Sequence, residues 1–119
     1  MPGARGDITL QAGNREVRLL FTNRALAEAE GAMGKSTIAI AQGFATGEGA
    51  LSIIELAHML RAGMEAARRD AREGGRVISL NEAYDVLDEV GFIEVSKAVF
   101  GAISEVLSYG STEAENPNL

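Results

Sequence analysis

Alternation of polar and apolar residues opens the chain. Asp7-Ile8-Thr9-Leu10-Gln11 alternates, Ala12-Gly13-Asn14 supplies turn chemistry, and Arg15 to Thr22 alternates again. Ile8 and Leu10 share one face of the first run; Val17, Leu19 and Phe21 share one face of the second. The period of two predicts a β-hairpin. Two strands alone are marginal in water, so this hairpin has to lean on helices of its own chain or on another chain.

After Thr22 the apolar spacing turns helical. Thr22 or Asn23 can cap a helix running to about Met33, and a less defined helix covers Ser36 to Phe44 before the loop Thr46-Gly47-Glu48-Gly49. Ser52-Ile-Ile-Glu55 and Ser79-Leu-Asn-Glu82 both have capping-box spacing, which satisfies two orphan amides at a helix start. The first opens a long helix to about Glu73, closed by Gly74-Gly75; the second opens a helix to about Val90, ended by Gly91. On the long helix Ile53, Leu56, Leu60, Met64, Ala67 and Ala71 form the apolar side, with His58, Arg61, Arg68, Arg69 and Arg72 opposite. In the next, Ala83, Tyr84, Val86, Leu87 and Val90 point inward, and Glu82, Asp85 and Glu89 outward. Arg76-Val77-Ile78 reads as a short extended segment, a candidate third strand.

The last helix, about 93–108, carries two apolar stripes. Val95, Val99, Ala102, Ile103 and Val106 make one; Ile93, Phe100 and Leu107 make the other. Together they span roughly 220° of the wheel, far wider than an ordinary surface helix needs. Either two neighbours cover this helix, as for a central helix, or one side meets another chain. The whole is an α+β chain, mainly α: an N-terminal hairpin packed on a bundle of four to five helices. It forms one domain over residues 1–109, followed by an acidic, disordered tail over 110–119.

Composition narrows the class. At 119 residues, 46% of them hydrophobic, the chain holds one modest core. No apolar run approaches the roughly 20 residues that cross a bilayer, so no membrane partner is expected. The start lacks the apolar stretch of a signal peptide. With no cysteine there is neither a disulfide framework nor a thiolate metal site, which fits a reducing cytoplasm. Residues 1–76 sum to +1 and residues 77–119 to −7, for a net charge of −6. Phosphate backbones repel such an acidic half, so nucleic acid is not an expected partner.

Candidate chemistry is sparse. Gly34-Lys35-Ser36-Thr37 has the end of a phosphate-binding loop, but Ala29 stands where that motif needs glycine, and the entering segment is helical rather than a strand. His58 is the only histidine and lies on a polar helix face without a nucleophile or co-ligands. Glu82, Asp85, Asp88 and Glu89 read as a solvated face, and the arginine row of the long helix as its ion-pairing partner. No catalytic, cofactor or metal constellation emerges.

Gly6-Asp7-Ile8, Gly13-Asn14-Arg15 and Val17-Arg18-Leu19, followed by the Leu/Ala/Glu-rich Thr22 to Glu30, resemble the hairpin and first helix of phage tail assembly chaperones. The likeness is to the branch found in gene transfer agents and siphophage-like prophages. Leu51 to Gly63, and Asn81 to Gly91 with the final apolar helix, are similar to that family's layout, so the resemblance spans roughly residues 6–109. It carries no catalytic motif and no diagnostic residue. It implies a non-catalytic helper, cytoplasmic in the host and absent from the finished particle. Such a helper coats the tape-measure protein and helps bring tail tube subunits to it. On this expectation Ile93, Phe100 and Leu107 are the candidate partner-binding surface, and the wide apolar face also allows a homo-oligomer. The alternatives are a structural tail protein and a helical regulatory or adaptor module. The helical stretch leaves too little strand for a β-sandwich-like tube subunit, and a DNA-binding module lacks a basic recognition helix.

Overall fold

The computed structural model describes residues 6–47, 51–72 and 74–114. A hairpin of β1 (Asp7–Ala12) and β2 (Arg15–Leu20) leads into α1 (Asn23–Met33), α2 (Thr37–Thr46), α3 (Ile53–Asp70), α4 (Leu80–Val90) and α5 (Phe92–Ala114). This is the α+β, mainly α architecture that the pattern predicts. The strands pair antiparallel from Asp7 opposite Leu20 to Ala12 opposite Arg15, leaving Gly13-Asn14 as a two-residue turn. Gly13 takes the positive φ of 62° that such a turn requires at its first position.

The hairpin turns Leu10, Ala12, Val17, Leu19 and Phe21 into the core. Arg18 fixes its outer side, donating to both Asp7 carboxylate oxygens at 3.0 and 2.9 Å and pairing with Asp70 at the end of α3 at 2.8 Å. Two glycines make the close packing possible. A Cβ on Gly6 would stand 2.7 Å from both the Phe21 carbonyl oxygen and Val106 Cγ2, and one on Gly63 would stand 2.6 Å from the Phe21 ring.

Helix starts follow the predicted caps. Thr22 Oγ1 accepts from Ala25 N at 3.0 Å. Both capping boxes close: Glu55 N donates to Ser52 Oγ and Ser52 N to Glu55, while Glu82 N donates to Ser79 Oγ and Ser79 N to Glu82. Gly34 and Gly47 end α1 and α2 in the left-handed conformation.

The central element is α3, which packs against β2, α1, α4 and α5. Leu56, Ala57, Met59, Leu60 and Ala62 are all inaccessible to solvent. The wheel assigns α3 a polar half, yet Ala62 and Glu65 on that half are buried, as are the small Ala57 and Gly63 on the flanks of the apolar side. Small residues there let neighbours approach, and the one acid is neutralised by ion pairs. The last helix shares the core, with Val95, Val99 and Ile103 at zero exposure.

Four local expectations are corrected. Among the described residues the sheet has two strands, not three. Ile78 donates its N–H to Glu65 Oε1 at 2.9 Å and accepts from Arg61 Nη1 at 3.0 Å, so side chains of α3 take the backbone groups a third strand would use. The arginine row does not face the acids of α4. Arg68 and Arg69 pair with Glu65 on their own helix, Arg69 also reaches Glu28 of α1 at 3.0 Å, and the α4 stripe meets Arg15 of the hairpin at Glu89. Ile53, placed inward by the wheel, is 61% exposed because it begins the helix before the core starts. Finally α5 continues through 110–114, where a disordered tail was expected. Gly110 lowers helix propensity by about 1 kcal/mol, which does not stop a helix already anchored in a core. The remainder of that tail, 115–119, lies outside the described residues, as does the glutamate at 73.

Candidate functional site

An apolar cleft lies between α2 and the start of α3. Its volume is about 330 Å³. The N-cap Ser36 and, from α2, Ala39, Ile40, Gly43 and Phe44 line it, at i, i+3, i+4, i+7 and i+8 along one side. Leu51 lines the other side. At the rim Lys35 pairs with Glu55, and this hydrogen bond, aided by the Ser52 amide, holds the Glu55 carboxyl below its usual range against the opposing effect of burial. The rim charges therefore cancel, and no residue from Thr37 to Thr46 carries a charge.

Local chemistry explains why α2 stands where it does. Glu30, near the end of α1, accepts from both the backbone N–H and the hydroxyl of Thr37 at 2.8 and 2.9 Å, and Thr37 is buried. Ser36 caps the helix by accepting from Ala39 N at 3.2 Å. This settles the geometry of Gly34-Lys35-Ser36-Thr37. The segment entering it is α1, Lys35 is engaged by Glu55, and the anion at the helix N-terminus is the protein's own Glu30 carboxylate. The groups a phosphate would need are already used.

The opposite end of α2 rests on α5. Phe44 stacks on Phe100 with ring centroids 4.5 Å apart and planes 17° from parallel. This stack bears on the predicted contact surface. Of the three residues proposed for it, Ile93 is 63% exposed, Phe100 only 4% exposed, and Leu107 half-buried against the core. The stripe exists on the helix, but α2 covers its middle. The cleft residues Ile40, Phe44 and Leu51 were missed as a site. Their signal in the sequence is a helix with two isoleucines, a phenylalanine and no charge; in the structure only Thr37 and Ala41 of that helix are buried.

The other candidates do not assemble. His58 is half-buried, and its Nδ1 is the buried side-chain atom without a hydrogen-bond partner among the described residues. Glu65, which the sequence places near it, is wholly committed elsewhere. It receives Arg68 through two bonds at 2.9 and 2.7 Å, Arg69 at 3.0 Å and the Ile78 amide at 2.9 Å. The Arg68 bonds do most to hold its carboxyl down to about 2, with the Ile78 amide and the charges of Arg68 and Arg69 adding to them against burial. Asp85, Asp88 and Glu89 are exposed. Among the described residues no three His, Cys, Asp or Glu side chains gather as a metal site, and no helix is long and apolar enough to cross a membrane.

Comparison with known proteins yields no match to any family model, curated protein or solved structure.

Proposed function

We propose that this chain is a non-catalytic phage tail assembly chaperone. It holds an amphipathic segment of the tape-measure protein in the cleft between α2 and α3. It helps bring tail tube subunits to that protein, acts in the host cytoplasm, and is left out of the finished particle. The resemblance of its hairpin and helices to that family supplies the biological role. The observation that carries the binding mode is the cleft itself: a helix face of Ile40, Gly43 and Phe44 turned toward Leu51 and only partly covered by the core. A groove of this kind receives a helix through residues spaced three and four apart.

Size and charge favour one helix over a second copy of the chain. Eight residues line the cleft, against about 20–30 per side in a standard protein interface. Two copies at −6 each also repel, whereas a partner helix with a basic polar face is attracted. The test is affinity capture of the tagged chain from cells producing phage or transfer-agent particles, with captured proteins identified by mass spectrometry. The proposal expects enrichment of a long helical tape-measure protein and no chain in purified particles. Stoichiometric presence in purified tails would make it a structural protein instead.

A further inference from the structure

Ile93, Phe100 and Leu107 are spaced seven apart on α5, so each returns within about 20° of the last, and the strip extends about 21 Å along the helix. Ile93 is open, Leu107 is partly covered by the core, and Phe100 is buried with Phe44 of α2 stacked on its ring. That helix is attached unevenly. Its N-terminal end is tied by Glu30 to Thr37 and by the neighbouring Lys35–Glu55 pair. Beyond Thr37, the hydrogen bonds of α2 stay within its own turns, as Ser36 with Ala39 and Thr46 with Gln42 and Gly43. Ile38 and Phe44 remain 47% and 41% exposed, and the cleft separates the helix from α3. One end is thus anchored by polar bonds, beside the left-handed Gly34, and the rest is held by apolar contacts alone: Ala41 and part of Ile40 against the core, and the stack of Phe44 on Phe100.

We propose that α2 is a hinged cover: it swings about residues 34–37 while the rest of the domain stays folded, and uncovers Phe100 in the middle of the Ile93, Phe100 and Leu107 stripe. The helix that then seats on Phe100 in place of Phe44 is the partner's amphipathic segment, entering through the cleft. This second half rests on the chaperone reading; the hinge does not.

Two experiments separate them. The first is native-state hydrogen exchange on the full chain at low urea. Once swung out, a ten-residue helix is too short to hold its own hydrogen bonds, so amides of residues 41–46 are expected to exchange at least about 100-fold faster than those of residues 59–64 in α3, with little dependence on urea. Phe44→Ala should speed exchange in α2 about tenfold further and leave α3 unchanged. Equal rates and equal urea dependence in the two helices would overturn the hinge, as would a Phe44→Ala effect spread evenly over both. The second is capture of tape-measure protein with variants. A cover predicts several-fold more capture by Phe44→Ala and a several-fold loss with Ile93→Asp. Reduced capture by Phe44→Ala would make Phe44 a fixed wall of the cleft and overturn the cover, with the chaperone reading intact. Absence of capture by the unaltered chain would remove the chaperone reading and the docking half, while exchange would still decide the hinge.

Discussion

Helices α2 and α3 hold opposite kinds of residue in opposite settings. The first is uncharged from Thr37 to Thr46 and buries only Thr37 and Ala41; the second contains Glu55, Glu65 and three arginines and buries ten residues. Hydrophobicity alone would reverse their places. What decides is the number of neighbours each can satisfy. In α3, small residues on one side and a fully paired acid on the other let four elements close around it. In α2, flanking glycines set the helix apart, and its apolar surface is only half used. A buried charge with all its bonds made is structural here, and an apolar helix left half covered is the surface available for binding.

The largest effect should come from breaking α3's buried network. Glu65→Ala leaves two arginines and the Ile78 amide without their shared acceptor, and should cost about 3 kcal/mol or more in urea unfolding. A loss below about 1 kcal/mol would show that α3 is not the element that organises the fold. Next in size, Gly63→Ala drives a methyl into the Phe21 ring and should cost about 1–3 kcal/mol, with the hairpin losing exchange protection first.

Acid should sharpen the contrast. The Glu65 carboxyl sits near 2 in the folded chain, below its ordinary 4.5, so its contribution is complete above 4.5 and is lost as pH falls from there toward 2. Glu55 and Glu82 are shifted in the same direction and add to the slope. Urea midpoints measured from about pH 6 down to about pH 3 should fall, and should fall less steeply in Glu65→Gln. Equal slopes in the two proteins would remove Glu65 as a source of acid sensitivity. The smallest global effect is expected from Phe44→Ala, under about 1 kcal/mol, because the ring is 41% exposed and its loss is felt within α2.

How much of this is readable from the sequence depends on how local each signal is. The hairpin, its Gly13 turn and both capping boxes are legible, because each is set by residues close together in the chain. The position of α3 is not. A helical wheel treats Ala62 as solvent-facing and does not single out Ala57 or Gly63, since it has no information on which neighbours small residues admit. Val77 and Ile78 suggest a strand by composition, yet Arg61 and Glu65, more than ten residues earlier, claim the backbone of Ile78. The candidate site is half visible. The stripe through Ile93, Phe100 and Leu107 is present on α5, but its covering by Phe44 depends on a contact between distant parts of the chain that no periodicity records. Conversely, the uncharged composition of α2 is the available clue to the cleft.

Co-expression of the tape-measure protein with this chain tests the central claim most directly, with soluble tape-measure protein as the readout. The unaltered chain should keep it in solution. Leu51→Asp places a charge on the cleft wall at a half-buried position outside the helices, and should leave the chain folded by circular dichroism while the tape-measure protein aggregates. Full solubility with folded Leu51→Asp would contradict the cleft as the chaperone surface.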